Sequence, residues 1–168
     1  MVGIENLHFF KSNTTLRLFE DNFINFDRIT AEPGVSGIAL IGASQQINLS
    51  TIDVTSAVTS LTAISSLGSG VRVFDANDAV GRTLIGTADG DTLSGFGGDD
   101  IFQMGGGRDT LSGGDGNDTF EIAAASDVSS GIGLSGGNGT DTISLTSTSI
   151  SSLILPKLNT SIATTETF

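Results

Sequence analysis

Between Gly86 and Ser144 the chain repeats one arrangement of small, acidic and apolar residues every nine positions. Gly86 to Ser94, Gly95 to Gln103, Met104 to Ser112 and Gly113 to Glu121 follow one another without a slip, and Gly136 to Ser144 is a fifth unit beyond residues 122 to 135. Glycines dominate places one to four, Asp holds place six, and one large apolar residue stands at place eight: Leu93, Phe102, Leu111, Phe120 and Ile143. One inward residue between polar neighbours makes places seven to nine a strand of about three residues. Self-similarity at a fixed period predicts a solenoid. With two units to a turn, a flattened right-handed coil lines one sheet with Leu84, Phe102, Phe120 and Ile143, facing Leu93, Leu111 and Leu134 on the other. Leu84 enters because Asn77 to Ile85 is a degenerate unit carrying Arg82 at place six. Leu134 enters by reading Asp127 to Ser135 as another, preceded by five inserted residues.

The first 70 residues keep no such period. Gly37 to Gly42, Ile47 to Asp53, Val71 to Asp75 and Arg82 to Ile85 read as strands, with a turn at Pro33-Gly34. Leu16, Phe19, Phe23 and Phe26 are spaced as on a helix, while the Asn, Thr and Ile around them favour strands. Val54, Ala57, Val58, Leu61 and Ile64 fall at i, i+3, i+4, i+7 and i+10, which predicts a short helix with Asp53 as N-cap and Gly68 as stop. The organisation expected is a β-rich subdomain or solenoid cap over 1–70, the repeats over 71–146, and a tail or cap over 147–168. The phenylalanines near the N-terminus read as core.

Composition narrows the chemistry. Nineteen acidic residues against seven basic ones leave a net charge of -12, which repels nucleic acid and suits small cations. Cysteine is absent, so disulfides, thiolate metal sites and a cysteine nucleophile are excluded. The single histidine, His8, cannot supply the usual zinc site. No apolar run approaches the roughly 18 residues of a membrane helix, so no membrane span is expected. No basic segment precedes an apolar core near Met1, so export, if it occurs, is expected to use no N-terminal signal.

Stacked coils sit about 4.8 Å apart, so Asp residues at place six of loops on one edge would repel by about 3 kcal/mol at an effective dielectric near 20. The stack calls for a cation between loops. Carboxylate and carbonyl oxygens, without imidazole or thiolate, are hard ligands that suit Ca2+. The EF-hand pattern is not met, since neither the glycine nor the glutamate follows Asp115 and Asn117 at the required places.

The units resemble the nonapeptide Gly-Gly-x-Gly-x-Asp-x-U-x, with U a large apolar residue, of the RTX (repeats-in-toxin) family; Gly113 to Glu121 and Gly136 to Ser144 fit at every defined place. The resemblance covers about a third of the chain. It implies a parallel β-roll that holds Ca2+ between loops of neighbouring coils, export by a one-step type I channel, and folding on meeting extracellular calcium. In that family the carbonyls of places one and three and the aspartate of one loop meet the carbonyls of places two and four and the aspartate of the next loop on that side. Carried over, this implies about three ions. One lies between Gly86, Ala88, Asp91 and Gly105, Gly107, Asp109. A second lies between Gly95, Gly97, Asp100 and Gly114, Gly116, Asp118. The third lies between Gly113, Asp115, Asp118 and Gly137, Gly139, Asp141, and requires residues 122–135 to form one side of a coil. Thr87, Asp89, Phe96 and Met104 depart from the glycine pattern, and the first site departs most.

The expected function is a calcium-binding structural module of a larger secreted adhesin or surface-layer protein. It would lie outside the cell, with self-association or cell-surface components as partners. The alternative is the non-catalytic C-terminal secretion or folding module of a secreted enzyme (protease, lipase or polysaccharide-modifying) or toxin, and the Ser/Thr-rich end from Leu155 to Phe168 then reads as an uncleaved secretion signal. A carbohydrate- or partner-binding domain on residues 1–70 is a third reading, which the absence of Trp and Tyr disfavours. No catalytic residue is assigned, and the chain is read as non-enzymatic.

Overall fold

The computed structural model describes residues 6–9, 15–19, 28–31, 37–42, 46–50, 53–54, 58–65, 70–124, 127, 131–147 and 162–165. The strands run β1 (Asn6–Phe9), β2 (Thr15–Phe19), β3 (Arg28–Ala31), β4 (Gly37–Gly42), β5 (Gln46–Asn48), β6 (Asp53–Val54), β7 (Ser60–Ser65) and β8 (Arg72–Phe74). Then follow β9 (Thr83–Ile85), β10 (Thr92–Gly97), β11 (Ile101–Gln103), β12 (Thr110–Asp115), β13 (Thr119–Ile122), β14 (Gly133–Asn138), β15 (Asp141–Leu145) and β16 (Ile162–Thr165).

Every pairing among the described strands is parallel and joins a strand to one in the next coil. One sheet holds eight strands in the order β16-β15-β13-β11-β9-β7-β4-β2, a second holds β14-β12-β10-β8-β5, and a third holds β1-β3-β6. The fold is thus a parallel β-solenoid. Of the strands before residue 71, β2, β4, β5 and β7 lie in the same two large sheets as the repeats: β7 pairs with β9, and β5 with β8.

Coil length changes with the number of faces and with insertions. His8 bonds Thr30 across the β1–β3 pair, 22 residues on, in coils that have a strand in the third sheet. The third sheet ends at β6, and within the repeats the step falls to 18 residues, as from Asp91 to Asp109. Past the insertion it widens to 23, from Asp118 to Asp141. Loop 75–82 is the junction where a three-faced coil becomes a two-faced one.

The inward positions match the period-nine reading. Leu84, Phe102, Phe120 and Ile143 are buried and stack in register, as do Leu93, Leu111 and Leu134 opposite. The Phe102 and Phe120 rings stack with centroids 4.9 Å apart. Each such side chain contributes about 1.5–3 kcal/mol on burial. Met104, Ile122 and Ile132 add to this core, which continues into the earlier coils through Leu61, Val73, Val58 and Leu49.

The helix expected from Val54 is absent. Val54 belongs to β6, Val58 is buried in the connection, and Leu61 and Ile64 lie in β7, paired with Ile38 and Ile41 of β4. Helical spacing here is coincidental: β-branched residues between two parallel neighbours gain a full ladder on both sides, which outweighs a weak helix preference. Leu16 and Phe19 are likewise in a strand, β2, while Phe23 and Phe26 lie outside the described residues. In the tail, β16 extends the eight-stranded sheet beside β15, and the remainder of the secretion-signal reading lies outside the described residues.

Candidate metal centre

The loops stack on two edges, and on each the place-six aspartates form a ladder. Asp91 N–H donates to Asp109 Oδ1 at 2.8 Å on one edge. On the other, Asp100 N–H donates to Asp118 Oδ1 at 2.9 Å and Asp118 N–H to Asp141 Oδ1 at 3.0 Å. Asp141 therefore stands beside Asp118, because β14 supplies the intervening coil side: Leu134 pairs with Leu111 and Thr142 with Thr119.

All five carboxylates are buried, yet Oδ2 of Asp100, Asp109, Asp118 and Asp141 has no hydrogen-bond partner. A buried charged oxygen without a partner is costly, and a cation at that point removes the cost. Glycine at place one makes this arrangement possible. A Cβ on Gly113 would lie 1.9 Å from Asp118 Oδ2, and one on Gly95 would lie 2.0 Å from Asp100 Oδ2. Places two and four serve the approach of whole loops: Gly116, with φ 135°, leaves no room for a Cβ, which would fall 2.1 Å from the Gly98 carbonyl oxygen.

Burial dominates the acidity. It pushes Asp100 up to about 8, Asp109 to about 7 and Asp118 to about 6, with ladder N–H bonds pulling the other way. Asp91 is raised as well by burial, against bonds from Thr87 and Val71. Without a cation these carboxyls hold protons that an exposed aspartate, with its ordinary value near 4, would release.

The three sequence-derived groupings are brought together to different degrees. Around Asp100 and Asp118, β10 and β12 carry the pairing through Phe96–Gly114 and Gly97–Asp115, stacking Gly95, Gly97, Gly114 and Gly116 in consecutive loops. Around Asp118 and Asp141, β12 and β14 pair Gly114 with Gly137 and Asp115 with Asn138, and a Cβ on Gly139 would lie 2.0 Å from Gly116 O. Here Asp115 O also accepts the Gly98 N–H from the preceding loop at 2.8 Å. The Asp91–Asp109 pair is different. Gly106 N–H bonds Thr87 O and Gly86 lies against Met104 O, so loops 86–91 and 104–109 do stack, with Ala88, Gly105 and Gly107 in them. Yet Asp91 Oδ2 accepts the Thr87 N–H at 2.6 Å, so Thr87 takes up a carboxylate oxygen left free elsewhere.

Among the described residues no three His, Asp or Glu side chains converge on one point. That agrees with a site of two carboxylates at most, completed by backbone carbonyls, which is oxygen-only chemistry suited to Ca2+.

Residues 83–109 and 105–127 match the family model of the RTX calcium-binding nonapeptide repeat, in four copies. This stretch is an RTX calcium-binding repeat array. A search of the curated proteins and of the solved structures found no match to the chain. The RTX array carries two features that the nonapeptide count does not reveal. Place five forms an outer ladder, with Asp99 Oδ1 accepting Asn117 N–H at 2.7 Å and Asn117 Oδ1 accepting Thr140 N–H at 2.9 Å. Arg82, at place six of the degenerate unit, is fully buried and surrounded by oxygen: Val58 O at 3.0 Å from Nε, Asp78 through both carboxylate oxygens at 3.0 Å, and Asp75 Oδ1 at 3.2 Å. An interrupted phase was the available signal, since a cation at an aspartate's place changes the sign of the ladder.

Proposed function

We propose that this chain is a calcium-dependent structural module whose RTX roll is locked by Ca2+ between stacked loops. One ion belongs between Asp91 and Asp109, one between Asp100 and Asp118, and one between Asp118 and Asp141, with backbone carbonyls of the flanking glycine-rich loops completing each set. The observation that carries the reading is the row of buried, unpartnered Oδ2 atoms at Asp100, Asp118 and Asp141. Bound calcium supplies positive charge to these carboxylates, and the close stacking of the loops gathers their oxygens around it.

A roll that stiffens on Ca2+ suits calcium-rich surroundings outside the cell. Parallel coils that continue from the roll into the earlier strands make a spacer, as expected of a segment in a larger secreted adhesin or surface-layer protein. Residues 1–70 then act as capping coils rather than as a separate binding domain. Far-UV circular dichroism of metal-free protein titrated with Ca2+ tests the module: β signal should grow with calcium and not with equal Mg2+. Size-exclusion chromatography tests the assembly reading, which fails if the protein stays monomeric at high protein and calcium concentration.

A further inference from the structure

We propose that Asp75 and Asp100 hold a further Ca2+ ion at the head of the Asp100 edge, outside the three positions that the nonapeptide count provides. This rests on the reading of the repeats as calcium-binding.

The register places Asp75 where a carboxylate is needed. Phe74 pairs with Ser94, and Asp75 N–H donates to Ser94 O at 2.9 Å, so Asp75 stacks beneath Gly95. Gly95 is the place-one glycine against which Asp100 packs its Oδ2. In complete units the carboxylate reaches this position from place six. In loop 75–82 place six is Arg82, whose N–H still donates to Asp100 Oδ1 at 2.8 Å and keeps the ladder intact. The carboxylate of this coil comes instead from the opposite side of the loop, from Asp75.

Arg82 does not satisfy it. Its guanidinium is paired through both terminal nitrogens with Asp78, and it reaches back to Val54 O at 3.4 Å and Val58 O at 3.0 Å in the preceding coil. It touches Asp75 through Oδ1 alone. Asp75 Oδ2, completely buried, has no partner, and neither has Asp100 Oδ2. The charges of Asp75 and Asp118 both act to raise Asp100, and that of Arg82 acts to lower it. Two buried carboxylates of neighbouring loops thus each keep one oxygen without a partner. Backbone oxygens of the lower loop lie against the upper one: a Cβ on Gly97 would fall 2.6 Å from Asp78 O, and one on Gly98 would fall 2.8 Å from Val80 O. Hard oxygens from two successive loops, with two negative charges, form a donor set for Ca2+. The opposite edge lacks the equivalent among the described residues, since Val71 faces Asp91 without a carboxylate and Thr87 occupies Asp91 Oδ2.

Counting bound calcium by native mass spectrometry, with the full chain and CaCl2 alone, tests this. Wild type should hold four ions and Asp75→Asn three. Asp118→Asn should hold two, because it removes the carboxylate shared by two repeat sites. Three ions in both wild type and Asp75→Asn would overturn the proposal and leave the repeat reading standing; no ion in wild type would overturn both. The amide of the Asp75→Asn variant retains an oxygen for Arg82 and for the Ala76 N–H, which favours its folding. A crystal structure of the wild type with Ca2+ needs no variant: an ion about 2.4 Å from both Asp75 and Asp100 is expected, whereas a direct Asp75–Asp100 hydrogen bond sharing one proton overturns the assignment.

Discussion

Single atoms decide the loops of this roll. Gly116 is held at φ 135° with the Gly98 carbonyl oxygen 2.1 Å from any added Cβ, so Gly116→Ala must move a stacked loop. The expected cost is about 2 kcal/mol or more, read as a lowered denaturation midpoint in saturating Ca2+. A midpoint within experimental error of wild type would count against the tight stacking. Protons at the same carboxylates set a pH dependence whose sign differs with and without calcium. Asp100, raised to about 8, and Asp109, to about 7, bind protons in the metal-free fold that the unfolded chain has released above about pH 4. The stability that these protons lend the metal-free fold should therefore be fully present below about pH 4 and be lost as pH rises from there towards 8. Calcium requires the deprotonated carboxylates, so its affinity should rise over pH 6–8, with proton release visible by calorimetry in buffers of different ionisation enthalpy. Flat affinity across that range would contradict the burial of these groups.

At the scale of strands and loops, the junction 75–82 carries the largest single polar commitment. Arg82→Met leaves Asp75 and Asp78 without their cation and frees Val58 O and Val54 O. Breaking a buried pair from one side costs about 3–5 kcal/mol; the loss should appear as a lowered denaturation midpoint in saturating Ca2+, since the guanidinium is not replaced by a repeat-site ion. An unchanged midpoint in Ca2+ would show instead that calcium takes over the role. This junction also marks where the sequence stopped being legible. Strands β9 to β15, their inward residues and the Asp ladders follow from a period of nine, because one apolar residue per unit leaves a single register open. Even residues 122–135 could be phased, through Leu134. The period gave no hold on loop 75–82, since Asp75 aligns with place one of the next coil although counting back from Gly86 starts that unit at Asn77. Two extra residues hid its carboxylate. Before residue 71 the apolar spacing of Val54, Val58 and Leu61 mimicked a helix, because only the pairing of β7 with β4 and β9, distant in sequence, settles its conformation.

For the whole molecule, the solenoid narrows from coils of 22 residues or more to coils of 18 as its third sheet ends, and the narrow part is rich in glycine and in buried acid. One apolar residue per nine offers little against the entropy of ordering so many glycines, while carboxylates brought together in a low-dielectric stack oppose it. Folding of residues 71–146 is therefore expected to depend on calcium, with the ions placed along the two loop edges. Hydrogen exchange followed by mass spectrometry, segment by segment, in Ca2+ and in chelator near pH 7.5 tests this most directly. The account predicts strong protection of β9 to β15 in calcium and its loss in chelator; protection of those strands that chelation leaves unchanged would contradict it.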